Sequence, residues 1–305
     1  MTEFLLTMAI LAGLNVLLAS GFNMILGYGG LVSVAQPVFY AIGAYTSALL
    51  SMKLGVPLPL AMTAGATVAA VASFGVSLPS LRVSGDYLVI ASMGFQLGII
   101  HVINNIEVTG AASGLSGIVS AVEGPGRSWI YAAIVWSICG AVILGIRWLV
   151  TGPYGRAITA MRNDEDAFAA LGRDAMRIKV TLFAIGSGLA GLAGALYGHY
   201  FLFLTPDQFG IFASATLLTM VVVGGAATVR GPALGAVLLT VLPEAIRFLQ
   251  LPVSIMAPLQ GVLFSCLVIL FLFLKPEGLF GGKTVGGLDA WQGRGTARRG
   301  SRGDG

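Results

Sequence analysis

Between Phe4 and Leu274 the chain is a succession of continuous apolar runs, and this feature removes most folds from consideration. The runs are about twenty residues long or more, enough for a helix to cross hydrocarbon at 1.5 Å per residue. A backbone in lipid must pair its own N–H and C=O groups, so only helices and closed barrels can span it. Barrel strands alternate apolar and polar over roughly ten residues, which these runs do not. Composition agrees: 56% of residues are hydrophobic, 10% are charged and mean hydropathy is +0.90. Soluble domains carry about a quarter charged residues. The expected fold is all-α, a polytopic helical membrane protein of about 8–10 transmembrane helices with broken or re-entrant segments.

Expected spans run from Phe4 to Gly27, Leu31 to Leu54, Leu58 to Leu81, Asp86 to Asn104 and Trp129 to Val150. Val180 to Leu204, Phe209 to Gly225, Pro232 to Leu249 and Met256 to Leu274 follow. Trp129 and Trp148 stand where interfacial aromatics belong. The second segment carries Ser33, Gln36 and Pro37 near its start, directly after the glycine cluster at Gly27, Gly29 and Gly30. Polar groups and a proline at membrane depth fit protein-buried or cavity-lining backbone, so a discontinuous helix is expected there, with a proline-kinked span as the alternative. Gly224-Gly225-Ala226-Ala227-Thr228-Val229-Arg230-Gly231-Pro232 ends one apolar run and begins another, as a helix break or re-entrant turn would. Residues 1–274 form the expected membrane domain, and the Gly- and Arg-rich tail 275–305 is expected to be disordered.

One polar segment interrupts this pattern, Thr151 to Lys179. Ile158, Met161, Phe168 and Leu171 recur at helical spacing, while Arg156, Arg162, Asp164, Glu165 and Asp166 fall mostly elsewhere around the helix. Pro153 suits the helix start and Gly172 the stop. Such a helix is either a solvated loop or a docking surface. Basic residues concentrate in this segment, at Arg82 and in the tail, which places all three on the cytoplasmic side. The amino terminus then lies outside if every span crosses once, and inside if Leu31 to Leu54 is re-entrant.

Several function classes are disfavoured. The formal charge of +4 and a pI near 9.2 come from loops and the tail, so they read as topology signals and give no nucleic-acid surface. Cys139 and Cys266 lie singly inside apolar runs, which supports neither a disulfide framework nor a metal site. No phosphate-binding loop or catalytic-triad spacing is present, so no cofactor, metal or catalytic residue is expected. His199 and the Glu244/Arg247 pair are ionisable groups in apolar runs, read first as packing residues and a neutralised pair.

The polar segment, G-P-Y-G-R-A-x-x-A-x-R-N-D-E-x-A-x-x-A-L-G, resembles the cytoplasmic loop of LIV-type branched-chain amino-acid ABC importer permeases. Blocks at Gly27 to Ser33 with Phe39, Gly43, Ala44 and Tyr45, at Gly85 to Ile90, at Thr109 to Leu115 and at Val221 to Ala236 extend the likeness. Together they are similar to the M-type (LivM-like) subunit from about Leu14 to Phe280. The resemblance implies a permease in the bacterial cytoplasmic (inner) membrane. Its implied partners are an H-type permease, two ATP-binding subunits and a periplasmic binding protein, with ATP hydrolysed by the partners. It implies ATPase coupling through Gly155, Arg156, Ile158, Met161, Arg162, Asp164, Glu165, Asp166, Phe168 and Gly172. The apolar face is then expected to bury against the ATPase.

The substrate pathway is expected at Ser33, Gln36, Pro37, Phe39, Gly94, Gln96, Gly224, Gly225 and Thr228. Gln36 and Gln96 stand where the family's usual pattern differs, with His after its Ser-Leu-Gly and often a Gly-Glu pair in the fourth span. Urea, short amides and aromatic acids are therefore alternative cargoes on the same scaffold. An ion-coupled secondary transporter is a more distant alternative, short of the intramembrane carboxylates it needs. A membrane-embedded enzyme is less favoured still.

Overall fold

The computed structural model describes residues 2–75, 77, 86–122, 124 and 126–247. Helix α1 (Thr2–Asn23) runs on through a π-helical turn, Met24–Tyr28. There follow α2 (Gln36–Leu54), α3 (Leu58–Ala72), α4 (Asp86–Asn105) and α5 (Arg127–Thr151). The polar segment forms α6 (Pro153–Asn163) and α7 (Glu165–Ala170), and the long α8 (Ala175–Phe201) leads back through the bundle. A 3-10 turn, Pro206–Phe209, precedes α9 (Ile211–Gly224), and α10 (Gly231–Arg247) follows. Five helical stretches among the described residues are long and apolar enough to cross a membrane: Thr2–Tyr28, Tyr87–Asn105, Arg127–Thr151, Ala175–Phe201 and Pro206–Gly224. The chain is a multi-pass helical membrane protein. The expected Met256 to Leu274 span, the tail and most of the stretch joining α3 to α4 lie outside the described residues.

Helix α8 is the central post. Thr7 Oγ1 lies 3.0 Å from Tyr200 Oη while Gly21 meets Gly186, so α1 runs antiparallel to α8. Gln36 pairs with Gly186 and Ser47 with His199, so α2 runs parallel to α8. Helix α3 completes the trio, and α5, α9 and α10 pack around α1. Lipid tails are as apolar as leucine, so water exclusion does little to hold such helices together, and close packing and interhelical hydrogen bonds must serve. A Cβ placed on Gly43 would collide with the Gly191 backbone, and one on Gly191 would sit 2.5 Å from Ala69 Cβ. Bare backbone at these positions is what lets three helices touch. Asn15 Nδ2 donates to Thr240 Oγ1 at 2.9 Å, tying α1 to α10.

At the end away from the polar segment, a two-residue antiparallel pair, Leu115–Ser116 with Phe203–Leu204, fastens the α4–α5 connection to the turn after α8. His199 is committed at this level. Its Nδ1 lies 2.8 Å from Val119 O, which can only accept, so Nε2 accepts from Ser47 Oγ at 2.9 Å. Trp129 and Trp148 stand exposed near the two ends of α5, as interfacial anchors do.

Some boundaries differ from the sequence expectation. Helix α2 starts at Gln36 rather than Leu31, because residues 29–35 have no regular helix and Pro37 opens the first turn. Helix α8 starts at Ala175 rather than Val180: Asp174 Oδ1 accepts from Arg177 N at 3.2 Å and caps a turn that hydropathy alone does not mark. The polar segment is two helices rather than one. Asp164 sits at φ −157°, ψ 100°, its carboxylate accepts from Ala167 N at 2.9 Å, and the chain restarts as α7. An Asp whose side chain can satisfy a free N–H favours such a restart over a helix interior.

Candidate functional site

The polar segment is seated on the bundle by its own apolar face. Ile158 and Met161 are each 2% exposed and Phe168 is 4% exposed. They pack in one cluster with Met24 and Tyr28 of the π-helical turn and Ile178 and Leu182 of α8. The expected burial of Ile158, Met161 and Phe168 against an ATPase is therefore corrected: this face is covered within the chain. A short amphipathic helix next to the exposed apolar ends of α1 and α8 finds its nearest apolar surface there. Leu171, expected on the same face, is 80% exposed: α7 ends at Ala170, and Leu171 is its C-cap residue.

Apart from Leu171 and Met176, the large side chains that the segment presents outward are polar. Arg156, Arg162, Asp164, Glu165, Asp166 and Gly172 are exposed, and Gly155 is buried in the first turn of α6 against the Val150 backbone. Gly172, at φ +74°, ends α7 as the sequence suggests. Lys179 Nζ lies 2.6 Å from both Glu165 oxygens and ties α7 to α8. The stem of Arg162 lies over Gly30, its Cγ 3.4 Å from where a Cβ would stand. The segment thus rests directly on the chain that leaves the π-helical turn.

Two interruptions of the helices meet beside it. The first is residues 29–35. Val34 N donates to Ser92 Oγ at 3.0 Å, and Ala35 N to Ser33 Oγ at 3.3 Å. Ser214 Oγ lies 2.8 Å from Val34 O and 3.0 Å from Gln96 Oε1. Gln96 Nε2 donates to Phe209 O at 3.1 Å, while Gln96 Oε1 shares the single Ser214 hydroxyl proton with Val34 O. Helices α4 and α9 supply these groups, and the unwound strand is held inside protein as buried irregular backbone requires.

The second interruption is residues 225–230, with Gly225 at φ +113° and Ala227 at φ +60°. Asn23 Nδ2 donates to Thr228 O at 2.9 Å and Asn23 Oδ1 accepts from Ala227 N at 2.9 Å. Thr228 Oγ1 bonds Gly225 O at 2.8 Å and accepts from Gly231 N at 3.1 Å, closing the turn on itself. Gly224 is buried against Gly231.

Of the residues expected on a pathway, Ser33 is buried in the unwound strand and Gln36, Pro37 and Phe39 at the start of α2, and Gln96 lies beside Val34 through Ser214. Phe39 stacks near Phe95, ring centroids 6.1 Å apart. Gly224, Gly225 and Thr228 lie at the second interruption, on the Asn23 side of α1. Gly94 is not brought to either group: it faces outward, with open space where a Cβ would be.

A cavity of about 210 Å³ opens beside the α2 start, between α1, α8 and α9. Leu11, Leu18, Pro37, Tyr40, Tyr197 and Met220 line it, with Asn15, Gln208 and Thr216 as polar contributions. None of its lining residues carries a charge. Sequence reasoning missed Asn15, Asn23, Ser92 and Ser214. Two Asn within the apolar run Leu14 to Leu26 are the signal that marks Asn15 and Asn23.

These features define a class: a multi-pass membrane protein with paired helix breaks over a seated polar segment, the anatomy of a permease. The chain belongs to the family described as branched-chain amino acid transport system / permease component, whose profile matches residues 4–272. It is similar to the high-affinity branched-chain amino acid transport system permease protein LivM of Escherichia coli (strain K12), 33% identical over 89% of this chain and 68% of that protein. The probable branched-chain amino acid transport permease protein LivM of Methanocaldococcus jannaschii is 31% identical over 68% of this chain and 64% of its own length. The permease protein LivH of Salmonella typhimurium is 22% identical over 87% of this chain and 90% of its length. No solved structure matches the chain.

Proposed function

We propose that the chain is a transmembrane permease subunit of a bacterial ABC importer in the cytoplasmic membrane, moving branched-chain or related small neutral amino acids inward. The observation that carries this reading is the seating of α6 and α7: one side packs on Met24 and Tyr28, beside both helix breaks, and the other presents Arg156, Arg162, Asp164 and Asp166 to solvent. Force applied to the charged side by an ATP-driven partner reaches the breaks through packed side chains. Likeness to both LivM and LivH proteins supports pairing with an H-type permease, and that pair would work with two ATP-binding subunits and a periplasmic binding protein.

The uncharged, mostly apolar cavity supports an aliphatic side chain as the cargo's bulk. At about 30 Å³ per molecule of liquid water, it admits a solute of under about ten heavy atoms. Co-expression with the candidate ATP-binding subunits and reconstitution in vesicles tests the reading. ATP-dependent leucine accumulation that needs this chain is the expected result, and copurification without any ATPase contradicts it.

A further inference from the structure

The two asparagines of α1 are put to different uses. Asn23 has both ends of its amide occupied, by Thr228 O and Ala227 N. Asn15 is held by one end only. Its Nδ2 donates to Thr240 Oγ1 at 2.9 Å, and the Thr240 hydroxyl gives its own proton to Ala236 O at 2.6 Å, so the amide orientation is fixed. Asn15 Oδ1 has no hydrogen-bond partner among the described residues. Asn15 lines the cavity of about 210 Å³, whereas among the described residues none of α10 does. The amide thus turns its nitrogen away toward Thr240 and leaves its oxygen on the cavity side. Gln36 Oε1 is sealed in protein, but the half-buried Asn15 leaves Oδ1 in contact with open space.

Depth makes this oxygen unusual. Asn15 is the middle residue of the 27-residue apolar stretch Thr2–Tyr28, so it stands near the bilayer midplane, where polar side chains are costly and mark function. Thr7 against Tyr200 and Gly21 against Gly186 put Asn15 about level with Leu192 of α8. Helical side chains lean toward their own N-terminus, so Tyr197 leans from just above toward that level. Tyr40 and Tyr197 both line the cavity, their ring centroids 5.7 Å apart, and neither hydroxyl has a partner among the described residues. At the end away from the polar segment stands the exposed Gln208, whose Oε1 accepts from Thr205 N at 3.4 Å and whose Nε2 has no partner among the described residues. One acceptor and two aromatic rings therefore lie deep in the cavity and one amide donor at its mouth, with Leu11, Leu18 and Met220 as apolar wall.

We propose that this cavity is a midplane binding site for the ammonium group of a small neutral amino acid, with Asn15 as its specificity-determining residue. Asn15 Oδ1 accepts a hydrogen bond from the ammonium, the Tyr40 and Tyr197 rings flank it, and Thr240 positions the amide. The proposal rests on the permease reading and deepens it. An ammonium that leaves water needs oxygen acceptors or aromatic faces in place of its hydration, and the wall supplies both. No carboxylate stands in that wall, so the cation is held without a fixed counter-charge and can be released inward.

Two measurements on the full chain test this. In a Cys139→Ser, Cys266→Ser background, Thr216→Cys puts a thiol in the cavity wall and leaves Asn15 in place. The ratio of its reaction rates with the cation methanethiosulfonate ethylammonium and with neutral methyl methanethiosulfonate measures the cavity's preference for an ammonium. Adding Asn15→Leu should lower that ratio at least fivefold, and adding Asn15→Asp, which keeps an oxygen acceptor, should hold or raise it. A ratio that Asn15→Leu leaves unchanged would overturn the proposal without reference to transport. So would a thiol that reacts with neither reagent, or with the neutral one alone as in a lipid-filled groove. In the reconstituted transporter, radiolabelled leucine moved per ATP hydrolysed should fall about tenfold in Asn15→Leu, with loaded binding protein still evoking hydrolysis. A value within twofold of the unaltered chain, or joint loss of uptake and hydrolysis, would show a merely structural residue. If the unaltered chain moves no leucine, the permease reading fails for that cargo, and the thiol ratio alone then decides for or against an ammonium site at Asn15.

Discussion

Asn23 holds Ala227 across 204 positions of sequence: its Oδ1 accepts the Ala227 N–H at 2.9 Å while its Nδ2 donates to the next residue's carbonyl, Thr228 O. One side chain thus replaces the helical partners that the second break gives up, and it does so from the residue that leads into the π-helical turn. π-Helical turns inside longer helices are concentrated at functional sites.

Asn23→Leu should therefore destabilise the chain by about 1–3 kcal/mol, since interhelical hydrogen bonds in membranes average near 0.6 and reach about 1.7 kcal/mol each. Asn23→Asp keeps the acceptor and loses the donor, so it should lie between. Thermal unfolding in detergent would rank the three chains, and equal midpoints would remove Asn23 from the account.

Bare backbone at the α2–α8 crossing gives a contrast between glycines. Gly191→Val places a branched side chain against Ala69 and the Gly65 carbonyl, so folded, membrane-inserted protein should be lost. Gly98→Val meets open space on α4 and should leave yield within about 0.5 kcal/mol of the unaltered chain. Membrane-level quantification of both variants checks the prediction.

Phe168 now predicts a different phenotype from that of an interface anchor. Phe168→Ala removes a side chain buried among Met161 and Ile178, at a cost of about 3–5 kcal/mol in a well-packed core, so α7 should unseat. Faster proteolysis within residues 163–174 is the signature. Arg156→Glu and Leu171→Asp change only exposed groups, so they should leave proteolysis unchanged while reducing ATPase recovery in a pull-down. Normal recovery with both would separate this surface from ATPase docking.

Lys179 and Glu165 make a close contact, yet Glu165 is half exposed, and exposed ion pairs are worth about 0–1 kcal/mol. Lys179→Met should consequently shift the unfolding midpoint by less than Asn23→Leu does, and the difference should shrink further at high salt. A larger effect than Asn23→Leu would show that α7 depends on this pair rather than on Phe168.

Much of the architecture follows from local chemistry and was legible along the chain. Runs of apolar residues demand helices in lipid, Pro153 and Gly172 bound the polar segment, and the Gly29-Gly30 and Gly224-Gly225 clusters interrupt the helices where the structure does. Each of these depends on φ/ψ preference or on backbone pairing within a few residues, so neighbouring sequence suffices to determine it. What a polar or apolar side chain meets is a different matter. Gln36 and Gln96 read alike, and only the approach of Gly186, Phe209 and Ser214 from distant elements gives the Gln36 amide one partner among the described residues and the Gln96 amide two. The same holds for Ile158, Met161 and Phe168: their spacing announces a face to be buried, but whether this chain or a partner buries it depends on where the ends of α1 and α8 stand. Partners contributed from 58 to 225 residues away, as with Ser92 for Val34 and Thr240 for Asn15, are set by helix packing, and helix packing is decided in three dimensions.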